Sequence, residues 1–141
     1  MEQKTNRITE AEPLHPCPPF GNAVLPAVLP FRLLDLYSCS GGAGYGYEQA
    51  GFIVTGIDIA PQPKHRGKFI QADAIEYLKA NWHKYDAVHA SPPCQAYSMA
   101  SMQFRKAGKE YVDLIEPTRK ALIETGLPYV IENVPGSPLI N

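Results

Sequence analysis

Phe31-Arg32-Leu33-Leu34-Asp35-Leu36-Tyr37-Ser38-Cys39-Ser40-Gly41-Gly42-Ala43-Gly44-Tyr45-Gly46 is the stretch that decides the fold. Its first seven residues form a short, mostly apolar run, the pattern of a strand buried in a sheet, and the run stops at a Ser/Gly cluster suited to a turn. Glycines in such a turn let backbone N–H groups approach a ligand at the start of a helix. That helix is expected over residues 44–50, with Gly51 in the left-handed position just past its end. A dinucleotide loop needs glycine at positions one, three and six, but counting from Gly42 or Gly44 the sixth residue is Tyr47 or Gln49. The Lys-Ser/Thr pair of a P-loop is also missing. The turn is read as nucleotide-type, with a simple packing turn as the alternative.

Working outward, Phe52-Ile53-Val54-Thr55-Gly56-Ile57-Asp58-Ile59 is rich in β-branched residues and is closed by Pro61 and Pro63, which makes it the second strand. Residues 68–71 make a short third strand. Asp73 stands where it can cap a helix over residues 74–80. Residues 85–90 form a fourth strand ended by Ser91-Pro92-Pro93, and Pro117 opens a helix that Gly126 stops. Residues 129–134 form a fifth. Strands alternating with helices predict a doubly wound α/β domain with a parallel sheet, whose ligands sit beyond the carboxyl ends of the strands where the strand order reverses.

The chain has 141 residues, 45% of them hydrophobic and 19% charged, enough for one domain with a real core. Six of its 14 prolines fall within the first 30 residues, so residues 1–30 are expected to form a proline-rich mobile arm ahead of the domain at 31–141. No run approaches the roughly 20 apolar residues of a membrane helix, and the start lacks the apolar stretch of a signal peptide, which predicts a cytoplasmic protein. Cys17, Cys39 and Cys94 match neither a disulfide framework nor a zinc spacing, so no metal is expected. A net charge of -1 gives no overall basic footprint for nucleic acid, although a local patch is compatible with it.

Four residues at strand ends stand out. Asp58 lies 17 positions after Gly41, which suits an acid that accepts hydrogen bonds from ribose hydroxyls, with a turn-forming role as the alternative. Asp73 ends the third strand and is either a ligand contact or a helix cap. Cys94 follows two prolines that hold the backbone extended and offer no N–H, an arrangement that presents a thiol rigidly; an inert buried cysteine is the alternative. Glu132, in Ile131-Glu132-Asn133-Val134, is an acid among apolar residues and needs a partner or a use. Together with the glycine turn, the two aspartates favour an adenosyl ligand.

These stretches resemble the DNA cytosine-5 methyltransferases, specifically the compact phage-type members, over about residues 31–138. Asp35-Leu36-Tyr37-Ser38-Cys39-Ser40-Gly41-Gly42 with Ala50-Gly51-Phe52 is similar to the motif that holds S-adenosylmethionine, with Cys39 where many members have glycine. Ser91-Pro92-Pro93-Cys94-Gln95 with Ser98 resembles the nucleophile motif, and Glu132-Asn133-Val134 the acid motif. The resemblance implies a Rossmann-like, class I S-adenosylmethionine-dependent methyltransferase fold. It implies a cofactor site of Tyr37, Ser38, Cys39, Ser40, Gly41, Gly42, Asp58, Ile59, Asp73, Ala74 and Pro92, with Asp58 at the ribose and Asp73 at the adenine. Gly21-Asn22-Ala23-Val24 is similar to the family's last motif, normally near the carboxyl end, and is read as coincidence or recombination, with a permuted arrangement that packs it ahead of the first strand as the alternative.

The resemblance further implies that Cys94 adds to carbon 6 of a cytosine flipped out of DNA while Glu132 grips the ring. Lys64, Arg66, Lys68, Arg105, Lys106 and Lys109 are candidate phosphate contacts or simply solvated charges. The implied setting is DNA methylation in phage or restriction-modification systems, in a bacterial or phage-infected cell. Since the family's arginine motif and recognition region have no counterpart before Asn141, the chain is expected to be an amino-terminal portion, incomplete at its carboxyl end and weak or inactive alone. An amino-methyltransferase would carry an aromatic residue at position 94. An RNA cytosine-5 enzyme and a non-catalytic cofactor- or partner-binding module stay open as alternatives.

Overall fold

The computed structural model describes residues 30–139. The expected proline-rich arm, apart from Pro30, lies outside the described residues, as do Cys17 and Gly21-Asn22-Ala23-Val24. Five strands form one parallel sheet: β1 Arg32–Leu36, β2 Ile53–Asp58, β3 Lys68–Gln71, β4 Ala87–Ala90 and β5 Tyr129–Ile131. Their order is β3-β2-β1-β4-β5. The chain runs from β1 outward to β3, then crosses back to lay β4 on the other side of β1. Strand order therefore reverses between β1 and β4, as in a Rossmann-like α/β sheet.

Central strand β1 is buried from Leu33 to Leu36, and its three leucines suit a parallel strand covered on both faces, with Asp35 the buried polar exception. Leu34 and Leu36 point with Ile57, Val88 and Ala90 into the main core, where Ala74 and Leu78 of helix α2 (Ala74–Asn81) and Ala121 and Leu122 of helix α4 (Ile115–Thr125) cover them. The opposite face carries helix α1 (Gly42–Gln49). Its Gly44 sits where an added Cβ would lie 3.1 Å from Asp35 Oδ2 and 3.2 Å from Val54 Cγ1, so helix and sheet pack closely there and a side chain would push both neighbours back by a few tenths of an ångström. Asp35, 1% exposed, bonds His89 Nδ1 across the β1–β4 pair at 2.7 Å, and the Tyr47 ring lies 5.3 Å from the His89 ring.

Several boundaries differ from the sequence expectation. Helix α1 begins at Gly42, two residues early, because the left-handed Gly41 (φ 81°) turns the chain into it. Helix α4 begins at Ile115, where Asp113 Oδ1 accepts the Ile115 N–H at 3.0 Å; Pro117 lies within its first turn. Strand β5 stops at Ile131, since β4 ends at Ala90 and the Glu132 N–H to Ala90 carbonyl bond leaves nothing further to pair with. Short helix α3 (Met102–Lys106) and 3₁₀ turns at Trp82–Lys84 and Met99–Ser101 are additions. Among the described residues no helix is long and apolar enough to cross a membrane.

Leu34→Ala, which empties space in the fully buried centre of the α2/α4 side, is expected to lower the unfolding free energy by about 3 kcal/mol. Ile53→Ala, on a strand of the same sheet but half exposed, should cost about 0.5 kcal/mol. Urea titrations of both variants check the contrast, and equal losses would refute this account of the core.

Candidate active site

The turn that leaves β1 is held in an unusual shape. Tyr37 and Cys39 both adopt positive φ, 60° and 46°, a region that side chains normally avoid. Asp58, at the end of β2 and 8% exposed, secures it: Oδ2 accepts the Cys39 N–H at 3.0 Å and Oδ1 the Ala60 N–H at 2.9 Å. The Ser38 N–H bonds the Ile57 carbonyl at 3.0 Å, and the Tyr37 hydroxyl shares a 2.6 Å hydrogen bond with Thr118 Oγ1 of α4. Burial raises the Tyr37 phenol, with the Thr118 bond working against it, so the ring stays neutral in the physiological range. Burial and then the Asp58 carboxylate push the Cys39 thiol up, which keeps it a thiol rather than a thiolate at neutral pH.

Beyond the carboxyl ends of the strands lies a cleft of about 530 Å³. Tyr37, Cys39, Asp58, Ile59, Asp73 and Ala74 line one part of it. Pro92, Cys94 and Glu132 line another, with Ser91, Pro93, Gln95, Asn133 and Val134. Thus nine of the thirteen residues singled out in the sequence meet in one cavity, while Ser38, Ser40, Gly41 and Gly42 do not line it. Ser38 is buried behind the turn, and the two glycines serve as the left-handed entry and first residue of α1. Ala60, Gln62 and Leu114 also line the cleft without having been anticipated; Gln62, set between Pro61 and Pro63, had only its flanking prolines as a signal.

Cys94 and Glu132 are far apart in sequence and are brought together by the sheet. Parallel pairing sets Ala90 beside Ile131, so the segments that follow leave the sheet side by side, and Asn133 Nδ2 donates to the Pro92 carbonyl at 2.8 Å. Cys94 is half-buried and its carbonyl accepts the N–H groups of Tyr97 and Ser98 at 2.9 and 2.8 Å. Glu132 is exposed, not enclosed by apolar neighbours as its sequence context suggested, because β5 has already ended. Asp73 caps α2, accepting from the Ile75 and Glu76 N–H groups at 3.0 and 2.9 Å, both through Oδ1 alone. Among the described residues no cluster of His, Cys, Asp or Glu is arranged to hold a metal ion.

The segment after Cys94 is organised by Arg105. Its Nη1 donates to the carbonyls of Gln95 and Ser98 at 2.7 and 2.8 Å and to Ser101 Oγ at 2.8 Å. A second tie joins the Tyr97 hydroxyl to Asp113 Oδ2, and this bond, ahead of burial, raises the Tyr97 phenol. Met99, Phe104 and Val112 are left exposed, in the same stretch of sequence as the exposed Lys106 and Lys109. Arg66 stacks on the Tyr45 ring at 5.3 Å, and Lys109 on Tyr111 at 5.1 Å.

No protein-family model matches the chain. Over 76 residues it is 34% identical to the Type II methyltransferase M.FnuDI of Fusobacterium nucleatum, covering 49% of this chain and 22% of that protein. Over 69 residues it is 32% identical to the ribosomal RNA large subunit methyltransferase K/L of Colwellia psychrerythraea, covering 49% of this chain and 10% of that one. Both relatives are methyltransferases, and the chain spans no more than about a fifth of the length of either. Among solved structures, the SAM-dependent methyltransferase from Agrobacterium tumefaciens aligns with a TM-score of 0.40 and 21% identity, over 48% of this chain and 27% of that one. At that level the structural likeness carries no argument, and the fold rests on the sheet order itself.

Cys39→Gly is expected to keep or slightly raise the thermal midpoint, because glycine accepts φ 46° without strain. Cys39→Val, β-branched at a left-handed position, should cost about 2 kcal/mol. Calorimetric melting of the two variants tests this, and a Val variant as stable as the parent would show that the turn is not constrained as described.

Proposed function

We propose that this chain carries the cofactor site and the catalytic cysteine of a DNA cytosine-5 methyltransferase. The observation that carries the reading is the convergence of Cys94 and Glu132 with Asp58 and Asp73 in one cleft at the reversal of strand order. Similarity to a type II methyltransferase over half the chain supports it. The donor set suits an adenosyl ligand: Asp73 uses only Oδ1 on its helix, and the carboxylate of Asp58 stands at the end of β2 beside Ile59. S-adenosylmethionine supplies, when bound, an electrophilic methyl group.

The chain's own residues do the rest. Carbon 5 of cytosine is a weak nucleophile, so the Cys94 thiolate first adds to carbon 6, forming a C–S bond and making carbon 5 electron-rich. Glu132, bonded to ring N3 and the amino group, stabilises the charge that develops on the ring. Once carbon 5 carries the methyl group, its proton passes to solvent water, the C–H electron pair re-forms the ring double bond, and the C–S pair returns to sulfur, which restores the free cysteine. Pro92 and Pro93 hold the Cys94 backbone, and Arg105 holds the segment behind it, so the thiol is presented without a large ordering cost. The target base must leave the duplex to reach the cleft. Lys106 and Lys109 are candidates for phosphate contacts, whereas Arg105 commits Nη1 to the protein itself.

An RNA substrate is the second reading, favoured by the similarity to a ribosomal RNA methyltransferase. The two are separated by presenting DNA and RNA oligonucleotides that contain 5-fluorocytosine, with S-adenosylmethionine, because fluorine at carbon 5 cannot leave as a proton does. A covalent adduct at Cys94 is expected with DNA and is expected to disappear in Cys94→Ser. An adduct that persists in Cys94→Ser, or that forms through Cys39, would show that the wrong thiol is assigned; an adduct with RNA alone would select the second reading.

Cofactor binding gives an independent check. Asp58→Ala is expected to weaken S-adenosylmethionine binding by about 1 to 3 kcal/mol, through loss of the ribose bond and of the brace on the turn. Equal affinity by titration calorimetry for parent and variant would remove Asp58 from the site.

A further inference from the structure

Behind the turn, on the face of the sheet that carries α1, the His65 side chain fills a slot built by two glycines. A Cβ added at Gly56 would lie 2.3 Å from His65 Nε2 and 2.7 Å from Ser38 Oγ. A Cβ at Gly41 would lie 3.0 Å from the same ring. The Phe69 ring closes the slot, 5.0 Å from the imidazole. The loop that carries His65 is strapped to the turn by the Arg66 N–H, which donates to the Ser40 carbonyl at 3.3 Å, and to α1 by the Arg66 guanidinium over Tyr45.

The slot contains polar atoms that have lost water without gaining a partner. Both His65 ring nitrogens and Ser38 Oγ are buried and unpaired among the described residues. Buried polar groups left this way are costly, so any adjustment that pairs them is favoured. Ser38 Oγ and His65 Nε2 border the same small space, since both lie within 2.7 Å of the point that a Gly56 Cβ would take. Neither residue lines the cleft. Yet Ser38 stands between Tyr37 and Cys39, the two strained residues that do.

We propose that His65 is a positioning residue for the cofactor turn, its Nε2 pairing with the Ser38 hydroxyl when an adenosyl ligand seats the turn, so that ligand affinity depends on a side chain that never touches the ligand. The inference rests on the methyltransferase reading. A bond made only in the bound state contributes its whole free energy to affinity, and removing either partner removes it. Packing alone would be satisfied by any flat ring of similar size in the slot.

The test is calorimetric titration of the full chain with S-adenosylhomocysteine, which binds without turnover, alongside thermal melting. His65→Phe keeps the ring and loses the nitrogens, and is expected to bind about tenfold more weakly while its melting midpoint changes little. Ser38→Ala is expected to show a similar loss, and the double variant no more than either single one, the signature of one shared bond. His65→Gln, which restores a polar group at that reach, is expected to recover most of the affinity. If His65→Phe does not fold, Ser38→Ala and the Gln variant carry the same expectations. Parent-like binding by His65→Phe, or losses in the two single variants that simply add, would overturn the inference alone. A parent chain that does not bind S-adenosylhomocysteine would overturn the methyltransferase reading itself.

Discussion

The Asp58 carboxylate holds the backbone N–H of Cys39 on one oxygen and that of Ala60 on the other, and the mouth of the cleft is built around this pair of bonds. Two side-chain-bearing residues of the turn, Tyr37 and Cys39, sit in the left-handed region, each at a cost of roughly 1 to 2 kcal/mol. Hydrogen bonds to a charged acceptor contribute about 1.5 to 3 kcal/mol and are of the size needed to offset that strain. Strained backbone persists where its surroundings over-determine it, and it clusters at ligand sites. Here the surroundings are the end of β2 in front, the Tyr37–Thr118 bond to α4 on one side, and the loop carrying His65 behind.

From that fixed turn the remaining geometry follows through the sheet. Because β1 pairs with β2 on one edge and β4 on the other, the ends of all three open on the same cleft. The β4–β5 pairing then carries Glu132 to the side of Pro92 and Cys94. Asp35 and His89, adjacent on β1 and β4, bond beneath this junction and tie the two strands that meet where the order reverses. A buried pair of this kind is weak evidence for stability, since its desolvation offsets its attraction. Its place in the structure is to hold a strand register.

What was legible in the chain was local. β1 and β2 show as apolar and β-branched runs because strands covered on both faces are mostly apolar, and β3 matches its expected limits at both ends. Asp73 reads as a cap from its position alone, and it is one. Helix α3 carries no signal, because its five residues lack an apolar period and are fixed by Arg105 reaching back to Gln95 and Ser98. The end of β5 was also hidden: a strand stops where its neighbour stops, and no property of residues 132–134 says where β4 ends. Glu132 was expected among apolar neighbours for the same reason.

By itself the amino-acid sequence determined the class of the fold, the number of strands and their succession along the chain, and the short list of residues with chemistry in them. Periodicity, caps and turn residues act over a few positions and need no partner to be read. Tertiary structure alone decided that nine of those residues share a cleft while Ser38 faces away from it, that Arg105 braces a segment, and that His65 fills a slot between Gly41 and Gly56. Those outcomes depend on strand order and on which backbone atoms arrive beside one another. Contacts between distant positions are set by the sheet as a whole, and no window of sequence contains them.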